Sequence, residues 1–192
     1  MSTQFVARVL SYSIGKGKIA LKGSRKRPWL ELKRPETERA YLGSQVYQLR
    51  KLHPGELEIF WDRVPTEGFY DLDRARIQSD ELWRAYELLY PRDKFTLSPT
   101  VLELTGLQGA CALWLDHGSW YGRAGEITGG YSPHEKKLIG EWLTSLGFES
   151  ANKRVDSRCR LYISPDSMRK FIPAIRPLVH ASMRSKLQRK RT

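Results

Sequence analysis

The chain has 192 residues, enough for one domain or two small ones that share a core, and 33 Lys and Arg against 21 Asp and Glu leave it at +12. Such an excess of cations points to a polyanionic partner, most often nucleic acid. Cys111 and Cys159 form no CxxC pair, which argues against a zinc site or disulfide framework and for a reducing, intracellular setting (a bacterial or phage-infected cytoplasm, or an organelle), and no apolar run is long enough to span a membrane.

MSTQFVARVLSYS has the single Arg and the amphipathic pattern of a weak targeting peptide, but it reads better as a first helix. Phe5, Val6, Val9, Leu10 and Ile14 recur at helical spacing, and Gly15 and Gly17 stop the pattern. KIALKGSRKRPWLELKRP then alternates apolar and basic residues around a break at Gly23–Arg27, as a β-hairpin with one basic face would. Between Lys16 and Arg34 the basic residues are Lys16, Lys18, Lys22, Arg25, Lys26, Arg27, Lys33 and Arg34, against the lone acid Glu31. From Pro35 to Leu52 acids come first and Arg50 and Lys51 last, which suits a helix and its dipole. ELEIFWDRV and GFYDLDRARIQ read as two strands joined near Pro65–Gly68. A helix from Asp80 to Tyr90 follows, capped by Ser79 or Asp80 and closed by Pro91.

The order then restarts. Leu102–Asp116 is apolar and helical and stops at Gly118, and WYGRAGEITGG makes a short hairpin. SPHEKKLIGEWLTSLGF is a helix with Ser132 as its N-cap, Pro133 in the first turn and Gly147 at the end. ESANKRV and SRCRLYIS are strands, Pro165–Pro177 is a last helix, and HASMRSKLQRKRT is a basic tail. Ile77–Pro91 aligns without gaps with Ile163–Pro177, matching Ile, Asp and the terminal Pro. An α+β protein of two pseudo-symmetric αββαββα halves is therefore expected, divided 1–95 and 96–180 with a basic tail at 181–192, and duplication explains the shared order better than chance.

ELLYPRDKFTLSPTVLELTGLQGACALWLDHGS, followed by YSPHEKKLIGEWLTSLGF, resembles the second half of the LAGLIDADG homing endonucleases, in the subgroup whose second motif reads roughly ALAIWFMDDGS. FIPAIRPLVHASMRSKL is similar to that subgroup's closing helix and tail, so the likeness runs from Tyr86 to Leu187. It extends more weakly into the first half, where VLSYSIGKGKI stands in place of something like LLGLLLGDGSL. The resemblance implies a saddle of two antiparallel sheets around a central two-helix interface, with Ser11, Gly15 and Ala112 as the small residues of close approach. It also implies that the hairpin at Lys18–Lys33 is one of the ribbons laid in a major groove.

In that family one carboxylate per motif, just before the terminal glycine, holds divalent cations against the scissile phosphates. Here those positions are Lys16 and His117. An ammonium does not ligate Mg²⁺, and imidazole suits Zn²⁺ or Cu²⁺ better. Asp116 lies one residue too early, about 100° round the helix from the required direction. No catalytic residue, metal or cofactor is therefore expected; Lys16, and His117 when protonated, are expected to meet phosphates where the metals would bridge them. Each has a plainer reading: a lysine in a Gly-rich turn is solvated surface, and a histidine at a helix end caps it favourably for the dipole.

IGKGK is not a phosphate-binding loop, which needs G-x-x-x-x-G-K-[ST], so a nucleotide triphosphatase is disfavoured. His53, His134 and His180 stand apart without metal-ligand spacing. Asp71 with Asp73, and Glu56 with Glu58, alternate along strands and so share faces, as exposed strand acids more than as a second metal site. Trp114, Trp142, Phe148 and Phe171 read as core, whereas Trp29, Trp61, Trp120 and Tyr121 lie on or beside strands, where they pack or stack on bases. Arg25, Lys26 and Arg27 at the hairpin tip, with Lys16, Lys18, Lys22 and Lys33, are candidate nucleic-acid contacts. Arg123, Lys153, Arg154, Arg158 and Arg160, with His117, form the set in the second half, although solvated basic surface is the plainer reading for any one of them.

The function these residues lead to is a monomeric, catalytically inactive homing-endonuclease-like protein that binds double-stranded DNA sequence-specifically, alone or within a larger nucleoprotein complex. Two others stay open. One is an RNA-binding factor, maturase-like or ribosome-associated, which the tail SKLQRKRT would suit. The other is an active site-specific DNA endonuclease with an atypical metal site that uses Asp116.

Overall fold

A computed structural model describes residues 3–22, 26–53, 55–65, 72–155 and 158–189, with the backbone alone for 152–155 and 158–159. The chain divides into two compact units, Met1–Thr96 and Leu97–Thr192. The first runs α1 (Thr3–Ser13), β1 (Lys18–Lys22), β2 (Arg27–Pro35), α2 (Arg39–Leu52), β3 (Glu58–Val64), β4 (Leu72–Gln78) and α3 (Leu82–Leu89). The second runs α4 (Pro99–His117), β5 (Gly118–Tyr121), β6 (Ala124–Ile127), α5 (Pro133–Ser145), β7 (Ser150–Val155), β8 (Arg158–Ile163) and α6 (Pro165–Ile175). Each unit is αββαββα around one four-stranded antiparallel sheet, in the order β1-β2-β4-β3 and β5-β6-β8-β7. The α+β class and the repeated order are those expected from the sequence. Among the described residues no helix is long and apolar enough to cross a membrane.

Alternation sets the faces. On β2 and β4, Leu30, Leu32, Ala75 and Ile77 are at most 1% exposed and turn to the helices, while Trp29, Glu31, Lys33, Arg74 and Arg76 face the other way. Two charges share the helix side and are paired there, as burial demands. Arg34 donates to Gln45 Oε1 (3.2 Å), lies over the Tyr41 ring and nears Glu38. Asp73 accepts from Arg39 at 2.9 and 3.0 Å, which ties the start of α2 to β4.

In the second unit the core is built on Trp114, whose ring meets Trp120 and Phe171 edge-on, with Phe148 against Phe171 in turn. That indole explains the glycines around it. A Cβ on Gly118 would lie 2.3 Å from Trp114 Cε3, and one on Gly125 2.5 Å from Met168 Sδ and 3.0 Å from Trp114 Cζ3. Gly118 itself is extended (φ −83°, ψ 144°), so it ends α4 by leaving room for the tryptophan and not by turning left-handed. Gly17 is the counterpart: a Cβ there would lie 2.8 Å from the Tyr12 carbonyl, which accepts the Gly17 amide at 2.9 Å.

Several boundaries differ from expectation. The segment after Pro35 begins as a 3-10 turn, Glu36–Glu38, before α2. Ser79 is not the cap of α3; its hydroxyl accepts the Glu81 amide one position outside the helix, and Glu81 is the N-cap residue without a side-chain bond. The apolar helix starts at Pro99, capped by Ser98, and breaks at Gly106 (φ 49°, ψ −144°). The ends of α5 match expectation: Ser132 and Glu135 form a reciprocal capping box, and Gly147 has φ 90°. Beyond Val179 the chain forms a 3-10 helix, Ala181–Leu187, that buries Met183 and Leu187 and offers the Lys186 carbonyl to Trp114 Nε1 at 3.3 Å.

Candidate nucleic-acid interface

The face of the first sheet turned away from its helices is a lattice of charge. Register aligns Lys18 with Glu31 and Lys22 with Arg27 across β1–β2, then Glu31 with Arg76 and Lys33 with Arg74 across β2–β4. On β3, Phe60 lies opposite Arg76 and Asp62 opposite Arg74. Glu31 sits among cations, with Lys33 Nζ at 2.8 Å, Arg74 Nη1 at 3.4 Å and Lys22 Nζ at 3.7 Å. Burial opposes its charge, but Lys33, helped by Lys22 and Arg74, outweighs that and holds the carboxyl below its ordinary range. Arg74 grips Asp62 with two prongs, Nε to Oδ1 at 2.7 Å and Nη2 to Oδ2, and Arg76 reaches the same Oδ2 at 3.3 Å. Arg74 therefore depresses the Asp62 carboxyl first of all. Trp29 tilts against Phe60 (5.2 Å between rings) with the Arg76 guanidinium 5.8 Å above it.

Lys16 is exposed in the turn between α1 and β1. His117 is different. Its carbonyl accepts both the amide (3.0 Å) and the hydroxyl (3.2 Å) of Thr128, and its half-buried ring meets Tyr131 edge-on at 5.6 Å. A Cβ on Gly129 would come within 3.0 Å of that imidazole and 2.5 Å of Tyr131, so the glycine makes the slot. Asp116 is buried beside this cluster; burial, then Asp116 and Glu135, pushes the Tyr131 phenol up. An ammonium and one imidazole do not supply the hard oxygen donors that Mg²⁺ takes, so these two positions do not fit the metal pair that the family resemblance implies. Among the described residues no three His, Cys, Asp or Glu side chains gather as a metal site.

On the second sheet the outward face carries Tyr121, 59% exposed and edge-on to Tyr162, and Glu126, whose Oε1 accepts from Arg160 Nη1 at 2.8 Å. That bond raises the Arg160 pKa. Arg123 is exposed in the β5–β6 turn beside Gly122 (φ 59°).

Of the residues singled out by sequence, Lys18, Lys22, Arg27 and Lys33 come together on one face, and Lys26 (φ 48°) is exposed in the turn just before β2. Arg25 lies outside the described residues, as does Asp71. Lys153 pairs in register with Arg160, Arg154 with Cys159 and Arg158 with Val155, while the side chains of 152–159 lie outside the description. Trp114, Trp142, Phe148 and Phe171 are core, as expected. Trp29 and Tyr121 stand on outward faces, but Trp120 packs on Trp114, and Trp61 is paired with Ala75 on the helix side of edge strand β3. Asp73 also faces the helices and is bound by Arg39, and Glu56 precedes β3, so neither acid pair shares an exposed strand face. His53 joins α2 to the loop before α3 through Ser79 Oγ at 2.7 Å, and His180 Nδ1 accepts the Ser182 amide. Arg74, Arg76, Asp62 and Phe60 were missed; alternation in LDRARIQ puts the two arginines on one face, but only the register sets them against Glu31 and Asp62.

A fold of two αββαββα units, each with a four-stranded antiparallel sheet, is that of the LAGLIDADG homing endonucleases. The homing endonuclease I-WcaI bound to its DNA recognition sequence matches over 98% of this chain and 88% of its own, with a TM-score of 0.75 at 15% identity. Mesophilic variants of the homing endonuclease I-DmoI match over 93% and 98%, at 0.61 and 17%. The full-length DUF199/WhiA protein from Thermatoga maritima matches over 97% of this chain and 59% of its own, at 0.55 and 14%. No protein-family model and no curated protein matches the chain in sequence. At such identities the fold is shared, and function has to be argued from the residues.

Proposed function

We propose that this protein binds duplex DNA in a sequence-directed way, through the outward faces of its two sheets, and does not cut it by the paired-carboxylate route of its fold. The observation that carries the reading is the outward face of the first sheet, where Lys18, Lys22, Arg27, Lys33, Arg74 and Arg76 stand together, with a further cation, Lys16, where the fold's cleaving members need an acid. Support comes from two proteins of like fold, I-WcaI bound to its DNA recognition sequence and I-DmoI in complex with DNA and Mn.

The physical account has three parts. Lysines and arginines on the face displace condensed counterions, so affinity falls roughly twentyfold per doubling of salt if about five phosphates are neutralised. Arginine forks on strands meet guanine O6 and N7 in the major groove, and carboxylates accept from cytosine N4. Lys16 removes a repulsion: an acid at that position opposes the duplex until metal neutralises it, whereas an ammonium favours metal-free binding. His117, packed on Tyr131, holds the end of α4 and contributes a charge only when protonated.

The test is a plasmid carrying a site selected by the protein, incubated with Mg²⁺, Mn²⁺ or EDTA. Tight binding in all three without nicking is expected. Metal-dependent nicking that disappears in Asp116→Asn overturns the reading in favour of an endonuclease with an atypical metal site.

A further inference from the structure

The basic faces contain two acids that recur at one place. Glu31 lies opposite Lys18, the residue after Gly17, and Glu126 lies opposite Ser119, the residue after Gly118. Each accepts from an arginine of the next strand: Glu31 from Arg74 Nη1 at 3.4 Å, while Asp62 holds the Nε and Nη2 side of the same guanidinium, and Glu126 from Arg160 Nη1 at 2.8 Å. The arginines correspond too: Arg74 is two residues before Arg76, the partner of Glu31, and Arg160 is two residues before Tyr162, the partner of Glu126. Both carboxylates are largely covered, with side chains 15% and 7% exposed. Around them little repeats: Lys18 stands where the second unit has Ser119, and Arg76 where it has Tyr162.

A diagonal Glu–Arg pair kept in both sheets, while its neighbours differ, is hard to attribute to surface chance. It is also a poor choice for mere attachment. A carboxylate on such a face repels phosphate and offsets the cations it touches, three of them for Glu31. It does two things that loose cations do not. It holds a guanidinium plane in one orientation, which lowers the ordering cost of a forked contact. It also penalises a phosphate or a wrong base brought against it, which is how specificity is built by exclusion.

We propose that Glu31 and Glu126 are specificity-determining residues: Glu31, jointly with Asp62, holds Arg74 and Glu126 holds Arg160 towards the edge of a G·C pair, and each of the two glutamates weakens contact with arbitrary sequence. The inference rests on the duplex-binding reading above. It assigns one G·C preference in the bound site to each unit, read by the arginine through guanine O6 and N7.

The experiment selects duplexes from a random pool with the wild type, Glu31→Gln, Glu126→Gln and Arg74→Lys. It also measures affinity for the wild-type site and for random duplex at one salt concentration. The glutamine variants are isosteric, and a melting curve for each confirms the fold. Each glutamine variant is expected to bind random duplex about three- to tenfold tighter, as one repelling charge near the phosphates is removed. Each is also expected to lose the G·C preference at one position, a different one for each acid, and Arg74→Lys to lose the same position as Glu31→Gln. Variants that keep the preference at every position, or lose selected and random affinity by one factor, overturn the inference while the duplex-binding reading stands. A wild type that recovers no motif overturns both.

Discussion

The two units repeat one topology and one set of packing constraints, yet their outward faces have little in common. In the first, cations and two acids interlock across four strands, from Lys22 through Glu31 and Arg74 to Asp62. In the second, the described face holds the Tyr121–Tyr162 pair and the single bond between Glu126 and Arg160. The helix ends differ as well, with Lys16 exposed in its turn and His117 wedged beside Tyr131 and Gly129. Apart from the Glu31–Arg74 and Glu126–Arg160 pairs, what repeats is what the core dictates: a glycine after each motif helix, apolar inner strand positions, and Ile77 and Ile163 both at 0% exposure. What diverges is the surface that packing leaves alone.

The comparison breaks most decisively at the glycines. Gly118→Ala drives a methyl into the Trp114 ring and the Trp114 carbonyl, and should cost roughly 3 kcal/mol or more, read as a lowered unfolding midpoint. Gly17→Ala meets the Tyr12 carbonyl at 2.8 Å and the more yielding Leu32 side chain, and should cost less. Equal tolerance of both would show that the helix ends are not built as the distances imply.

Next in size is Arg74→Ala, which leaves Glu31 and Asp62 facing the duplex with fewer cations. Affinity measured by fluorescence anisotropy should fall by about 1–3 kcal/mol, with a smaller loss of stability. The helix ends separate more gently. Lys16→Ala should leave melting within about 0.5 kcal/mol of wild type but lower the salt dependence by about one counterion. His117→Ala should do the reverse, costing about 1 kcal/mol of stability through lost packing on Tyr131. A His117 variant that melts normally but binds poorly would make the two ends functional equivalents.

The smallest effect is a pH limb. Arg39 holds the Asp73 carboxyl below its ordinary range, so the pair stabilises the fold above the unfolded pKa near about 4 and that contribution is lost as pH falls through the folded value. The acid arm of the melting profile should therefore flatten in Asp73→Asn.

Much of the fold was legible because its signals are local. Helical spacing from Phe5 to Ile14, alternation in KIALK and LDRARIQ, and the Ser132–Glu135 cap each act within a few residues. The break at Gly106 was not legible, since apolar periodicity continues through it and only the backbone angle reveals it. Nor was the burial of Met183 and Leu187, two apolar residues four apart in a segment read for its charge. The site divided the same way. Lys18 and Lys22 share a face of β1 by parity, but the encounter of Arg74 with Glu31, forty-three residues away in sequence, depends on strand pairing that no local pattern encodes. The same limit hid the difference between Trp29, which faces outward, and Trp120, which packs on Trp114.

The central claim is metal-free recognition of a particular duplex sequence. It is tested most directly by selecting bound duplexes from a random pool in EDTA at near-physiological salt. Recovery of one long motif is the predicted result. Recovery of none, with binding that fades as salt rises and yields to a structured RNA competitor, would contradict the account and leave the basic face as a non-specific polyanion surface.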